Sequence, residues 1–316
     1  METRIGTDGL EAKQLLESGD VVAIPTETVY GLAANALDAR AVTKIFEAKN
    51  RPFFDPLIIH TYSIEQIKHF VLGFPRWAEE LAEKFMPGPL TIVLKKGENI
   101  PDIVTAGLDT VGIRIPNHQV TLDMLRSLQF PLAAPSANPF GYISPTNPNH
   151  VLQQLAGKIP YILDGGECSV GIESTIVGEE KGTPVILRLG GTSIEDIQSV
   201  IGKCELRIHS SSNPKNPGSL ESHYSPKHRL IFSDENPHHN QPSEIGTITF
   251  KQTRALIPLE QQRILSPSGD LKEAARRIFS AMRDLDAMRI NAIWAEKFPD
   301  VGLGRAINDR LRRAAS

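Results

Sequence analysis

The chain has 316 residues, 40% hydrophobic and 22% charged, which excludes a disordered chain and leaves room for two domains of about 150 residues each. Its 34 basic and 37 acidic residues give a net charge of -3, which argues against a protein that grips nucleic-acid backbone over its whole surface. Cys168 and Cys204 lie far apart and form no CxxC, so neither a zinc site nor a disulfide framework is expected, and a reducing, cytoplasmic compartment fits best.

Apolar runs of strand length recur at 21–24, 57–60, 90–94, 111–115, 161–163, 174–177 and 185–189. Residues 41–49 and 77–85 carry apolar side chains at helical spacing. Ser193, followed by Glu195 and Asp196, reads as a helix start. Alternating strands and helices from near residue 8 to about 207 indicate an α/β domain. The stretch 210–226, SSSNPKNPGSLESHYSP, is a linker by composition. Beyond it, 230–232, 245–250 and 291–294 are strand candidates. Residues 271–289 form the clearest helix, with Leu271, Ala274, Ala275, Ile278, Met282, Leu285 and Met288 in one stripe. A final helix covers 305–315, and its Arg305, Arg310, Arg312 and Arg313 read as a solvated face. The expected units are 1–208, a linker at 209–228, and 229–316. No run approaches about 18 apolar residues, so no membrane partner is expected.

Common motifs exclude several chemistries. GxxxxGK[ST], HExxH, GxSxG and the kinase set are all missing, and Gly302-Leu-Gly304-Arg-Ala-Ile307 lacks the last glycine of GxGxxG. What remains is a set of polar segments at strand ends, where α/β folds place ligands. Residues 25–32, PTETVYGL, offer the Thr26 and Thr28 hydroxyls, the Glu27 carboxylate and close approach at Gly31; a plain polar turn has the same composition. Lys49 and Arg51, just before Pro52, suit either a phosphate clamp or a solvated helix end. Arg114 lies in an apolar strand between Ile113 and Ile115, where a charge is costly unless paired or used on a ligand such as a carboxylate. An outward-facing strand arginine is the alternative. Ser136, Asn138 and Ser144 follow a strand of small residues and supply neutral hydrogen bonds suited to a nucleotide. Gly171-Ile-Glu-Ser174 and Arg188 complete the set. His60 suits site or core equally, and His238-His239 reads as an exposed polar loop.

In order and spacing these segments resemble the YrdC-like threonylcarbamoyl-AMP synthases in their long, two-domain form. The carrying stretches are PTETVYGL (25–32), KNRPFFDPLIIH (49–60), PGPLTIVL (87–94), VGIRIPNH (111–118), APSANPFGYISPT (134–146), DGG (164–166), GIESTIV (171–177) and ILRLG (186–190). HYSP (223–226) resembles the long form's linker motif, usually HYAP, and LGRAINDRLRRA (303–314) resembles its C-terminal domain.

The resemblance implies an open, twisted α/β sheet around a concave, electropositive cavity, with a smaller Rossmann-like α/β C-terminal domain. It implies joining of L-threonine, bicarbonate and ATP, with Mg2+, into L-threonylcarbamoyl-AMP and pyrophosphate. A downstream threonylcarbamoyl-transferase complex would carry the group to adenosine 37 of tRNAs reading codons that start with A, so tRNA would meet this chain only indirectly. By position, Arg51 with Lys49 beside it would act on the phosphates. Thr110, Ser136, Ser144, Arg188 and Tyr224 would contact ATP, with Asn138 as a further phosphate donor. Thr28, His60, Arg114, Ala134 and Ser174 would hold threonine, and Tyr224 would close over the nucleotide as part of a lid. Asp55 stands where the family often has Asn; its carboxylate would repel phosphate and is expected to serve magnesium or the ribose instead. Two other readings remain: an RNA-binding module without catalysis, and a related carbamoyl-adenylate enzyme of the kind that carries zinc-finger-like segments, for which this chain has no CxxC repeats.

Overall fold

The structure is a computed structural model that describes residues 2–207, 223–233 and 244–316. The linker stretch 208–222 and His238-His239 lie outside the described residues.

The chain begins with β1 (Arg4–Gly6), α1 (Gly9–Glu17), β2 (Val22–Ile24) and β3 (Gly31–Asn35). Then come α2 (Ala39–Lys49), β4 (Ile58–His60), α3 (Ile64–Lys68), α4 (Arg76–Phe85) and β5 (Leu90–Lys95). Next are α5 (Asp102–Thr105), β6 (Thr110–Arg114), α6 (Gln119–Ser127) and β7 (Leu132–Ala133). The first domain ends with α7 (Pro148–Leu155), β8 (Tyr161–Leu163), β9 (Thr175–Glu180), β10 (Thr183–Arg188), α8 (Ile194–Ile201) and β11 (Glu205–Leu206). The second contains β12 (Arg229–Phe232), β13 (Ile245–Thr249), β14 (Gln262–Ile264), α9 (Leu271–Asp286), β15 (Ala292–Ala295) and α10 (Leu303–Ala314).

The described residues build two sheets. The larger has the order β1-β8-β2-β3-β7-β4-β6-β5-β9-β10-β11. It is mixed: β2 and β3 run antiparallel, as do β5 and β6, whereas β4 and β6 are parallel. The smaller sheet, β12-β15-β13-β14, is parallel throughout and is packed by α9 and α10. The α/β expectation therefore holds for both units, and each strand expected from an apolar run is present within a residue or two.

Local chemistry explains the elements that matter for the site. Helix α2 starts where the Asp38 carboxylate accepts from the amide of Arg40, and it buries Val42, Ile45 and Phe46 on one face. It stops at Asn50, which takes the left-handed conformation (φ 51°), and Pro52 forbids continuation. Lys49 and Arg51 thereby reach different partners, Lys49 the carbonyls of Ser136 and Asn138 and Arg51 the 55–56 segment. Between β2 and β3 the Thr26 hydroxyl donates to the Val29 carbonyl (2.6 Å) and accepts from the amides of Thr28 and Val29 (both 3.2 Å). This turn sends the chain back as a strand, with Gly31 opposite Ile24. A Cβ on Gly31 would meet the Ala134 Cβ at 3.2 Å, so glycine here lets the 134–136 segment lie against β3.

The two domains are packed closely. A Cβ on Gly171, at φ +77°, would come within 2.4 Å of the Arg276 backbone on α9. Arg283 of α9 donates to the carbonyls of Ser144 (3.3 Å) and Ile143, and to the Gln154 side chain (2.9 Å). The Tyr142 hydroxyl donates to Asp286 at 2.5 Å. Among the described residues no helix is long and apolar enough to cross a membrane.

Candidate active site

A cleft of about 60 Å³ opens over the larger sheet and is lined by Thr28, Val29, Arg51, Ile58, His60, Arg114, Ala134, Pro135, Ser136, Glu173, Ser174, Arg188, His223 and Tyr224. Three arginines against one carboxylate line it, which matches the electropositive cavity expected from the sequence. Nine of the expected site residues meet here, drawn from segments that span most of the chain.

At one end, Arg114 closes β6 beside His60 of β4, its register partner. Its Nη1 donates to the Thr28 hydroxyl at 2.9 Å, and its Nη2 lies 2.7 Å from the Glu27 carboxylate. The Asn117 amide donates to the same Glu27 oxygen at 3.0 Å. Glu27 and Thr28 thus orient the guanidinium, while its Nε makes no hydrogen bond and stays available for a carboxylate. His60 is buried, and burial first, then the Arg114 charge, lowers its pKa to about 3. Its ring is neutral, and Nδ1 has no partner. Ala134 forms the small wall opposite.

At the other end, Arg51 donates from Nη2 to the Pro56 carbonyl (3.0 Å) and pairs with Asp55 at 2.7 Å. Asp55 is fully buried; burial raises its pKa, against the opposing charges of Arg51, Lys49 and Arg188. Arg188 donates to the Ser174 carbonyl (2.8 Å) and hydroxyl (3.0 Å), and the Ser174 hydroxyl pairs with that of Thr91 at 2.7 Å. Burial lowers the Arg188 pKa to about 10, which leaves it charged at neutral pH. Tyr224 comes from the linker, is buried, and takes φ 67°. It stacks on Phe279 of α9 (5.4 Å between centroids), with His223 edge-on at 4.1 Å. Burial pushes its hydroxyl up to about 12.

Five expected residues sit elsewhere than the cleft wall: Asp55, paired to Arg51 as described, and four more. Lys49 is buried and outside the lining, and its ammonium donates to the carbonyls of Ser136 and Asn138, so it braces their loop. Asn138 spends its amide on the carbonyls of Pro139 and Tyr142, both at 2.8 Å. Ser144 is fully buried and donates to Glu173 at 2.6 Å, one step behind the lining. Thr110 lies at the far end of β6 from Arg114, roughly 13 Å along the strand, and lines an outer groove with Leu72, Leu94 and Leu187. The structure therefore does not bring Thr110 to this cleft.

Glu27, Glu173 and His223 belong to the site although the sequence reading assigned them no role. Each stands inside a recognised segment, beside a residue that was assigned one. Arg310 was misplaced altogether. It was read as part of a solvated face, but it is fully buried, donates to Glu173 at 2.8 Å, and lies over the Tyr224 ring at 5.2 Å. Arg313 of the same helix is also buried, whereas Arg312 is exposed.

Among the described residues no cluster of three or more His, Cys, Asp or Glu side chains could hold a metal by itself. Magnesium usually takes one or two carboxylates and relies on substrate phosphates for the rest. Asp55 fits that role, because its buried Oδ1 has no partner and its Oδ2 meets the Arg51 guanidinium at 2.7 Å. Glu173 does not, since Ser144 and Arg310 engage both of its oxygens.

Comparison with known proteins agrees with this geometry. Residues 14–190 match the Sua5/YciO/YrdC family model, described as Telomere recombination. Residues 192–316 match the model described as Threonylcarbamoyl-AMP synthase, C-terminal domain. The chain is 41% identical to the threonylcarbamoyl-AMP synthase of Pyrococcus abyssi, over 96% of this chain and 93% of that one. It is 38% identical to the threonylcarbamoyl-AMP synthase of Bacillus subtilis, over 96% and 92%. The crystal structure of P. abyssi Sua5 complexed with L-threonine superposes with a TM-score of 0.90 at 38% identity, covering 99% of this chain and 97% of that one. The chain belongs to the Sua5/YciO/YrdC family, in the two-domain form of the threonylcarbamoyl-AMP synthases.

Proposed function

We propose that the protein makes L-threonylcarbamoyl-AMP and pyrophosphate from L-threonine, bicarbonate and ATP, the first step of N6-threonylcarbamoyladenosine formation in tRNA. The observation that carries this reading is that one cleft collects two kinds of group. Arg114, Thr28 and a neutral His60 suit an amino acid; Arg51 and Arg188 suit phosphates.

Threonine docks its carboxylate on Arg114, whose Nε–H donates to it while Thr28 and Glu27 hold Nη1 and Nη2. Ala134 leaves room for the side chain, and the uncharged His60 adds no second positive charge against the amine. The amine adds to bicarbonate-derived CO2 and loses a proton to give a carbamate. A carbamate oxygen then forms a bond to the α-phosphorus of ATP as the bond to the β-phosphate oxygen breaks, and pyrophosphate leaves. The substrate supplies its own nucleophile, so no activated Ser or Cys is needed. Cys168 and Cys204 fit that view, since both are buried and burial pushes both thiols up. The protein's part is positioning and charge stabilisation, with Arg51 and Arg188 facing the phosphates and Ser136 offering a hydroxyl. Magnesium, when bound with the triphosphate, would neutralise charge on it, and Asp55 is the side chain that would hold it.

A cavity of about 60 Å³ has room for about two waters. A nucleoside triphosphate requires the wall made by His223 and Tyr224 to move, so the linker acts as a lid in this proposal. The product passes to a separate transferase complex, and the protein works in the cytoplasm. The test is pyrophosphate release from ATP by the purified chain with magnesium. Release that requires both L-threonine and bicarbonate, with serine much poorer, is the expected result. Release independent of threonine, or none, contradicts the proposal.

A further inference from the structure

Glu173 poses a problem for a phosphate site. Its carboxylate lines the cleft in the neighbourhood of Arg188, where a triphosphate is proposed to sit. A bare carboxylate there would repel the ligand. The first domain supplies only the neutral Ser144 hydroxyl, at 2.6 Å, as a direct partner for one oxygen. The second oxygen is met from the other domain: Arg310 of α10, 137 residues along the chain, donates Nε to it at 2.8 Å.

Arg310 is built into that position. Its Nη2 donates to the Leu189 carbonyl at 2.8 Å, and its Nη1 to Asp309 at 2.7 Å. Asp309 in turn binds Arg313 at 3.1 Å and 3.2 Å. The Arg313 carbonyl accepts from the His223 amide at 3.1 Å, at the root of the lid. The Tyr224 ring packs on the guanidinium at 5.2 Å. All three nitrogens of Arg310 are committed, so this is no mobile surface arginine. Burial alone would raise the Glu173 pKa, but the charges of Arg310 and Arg188 outweigh it and keep the carboxyl ionised.

We infer that Arg310 is a positioning residue of the nucleotide site: the second domain cancels the Glu173 charge and, through Glu173, fixes the Ser144 hydroxyl. This rests on the proposal that the Arg51 and Arg188 end of the cleft takes ATP. A first domain without α10 would leave Glu173 with Arg188 alone as a nearby opposing charge and with its second oxygen unmet by Arg310.

The test is a two-by-two set of full-length chains: wild type, Arg310→Met, Glu173→Gln and the double variant. Magnesium-ATP binding is titrated by calorimetry, and threonine KM is read from pyrophosphate release. Arg310→Met is expected to weaken ATP binding by about tenfold or more while threonine KM moves less than about threefold, because the Glu173 charge then faces the ligand with its direct ion-pair partner gone and competes for Arg188. In the Glu173→Gln background the same change should cost less than about threefold, since the charge it balances is gone. Equal losses in both backgrounds, or equal losses for both substrates, would overturn the inference and make Arg310 a packing residue. If Arg310→Met does not fold, comparing Glu173→Gln with the double variant decides the matter by itself. A wild-type chain that does not bind ATP overturns the underlying reading, and this inference with it.

Discussion

At the Arg114 end of the cleft, every group that balances or orients the arginine comes from the same domain: Glu27 at 2.7 Å and Thr28 at 2.9 Å, both from the turn after β2. At the Arg188 end, the balance for Glu173 arrives from α10 of the second domain, and the cover arrives from the linker as Tyr224. The end proposed for the amino acid therefore draws its balancing groups from the first domain, while the end proposed for the nucleotide draws on both. Substitutions at the two ends should separate accordingly.

The largest effect is expected from Arg114→Ala. It removes the carboxylate partner and leaves Glu27 buried and unpaired, so threonine KM should rise about a hundredfold or more, with ATP KM changed less than about threefold. Steady-state kinetics with each substrate varied in turn check this, and equal loss for both substrates would contradict the division. Arg51→Ala should show the opposite pattern: ATP KM up roughly ten- to a hundredfold, as expected for loss of charge-assisted hydrogen bonds, with threonine little affected. Gly171→Ala tests the seam between the domains. Its Cβ would press on the Arg276 backbone at 2.4 Å, from a backbone conformation that already disfavours a side chain. We expect lower thermal stability and ATP binding weakened several-fold, with threonine binding retained in calorimetry.

The smallest effect concerns pH. Burial, first among the causes in each case, pulls His60 and His223 down to about 3 and His150 to about 4. An unfolded histidine titrates at about 6.5, so below that pH the unfolded chain binds more protons than the folded one. Stability is therefore complete above about pH 6.5 and declines as pH falls toward about 4. Melting temperatures across that range should fall on acidification, and His150→Gln should flatten part of the slope without moving threonine KM.

Much of the larger sheet was legible, because its strands are short apolar runs with polar groups at their ends. That Arg114, His60 and Thr28 come together was legible for the same reason: Arg114 and His60 terminate neighbouring strands, and Thr28 sits in a dense polar turn. Thr110 falls outside the cleft lining: a motif does not say which end of a strand faces a pocket, and β6 separates it from Arg114 by its full length. Lys49 has the composition of a phosphate clamp, but only the fold reveals that the Ser136 and Asn138 carbonyls already claim its ammonium. Arg310 was the least legible. A helix bearing four arginines looks solvated, and nothing near it in sequence announces a buried carboxylate 137 residues earlier. Short-range pattern reveals elements and strand-end chemistry, whereas charge compensation across a domain seam is a long-range property.

The account stands or falls on a single product in which both ends of the cleft have acted. The purified chain should be supplied with ATP, magnesium, L-threonine and carbon-13 bicarbonate, and the adenylates resolved by mass spectrometry. The account predicts an adduct of AMP and threonine that carries the labelled carbon, and its disappearance in Arg114→Ala. A threonine adenylate without the label, or AMP and ADP alone, would contradict it.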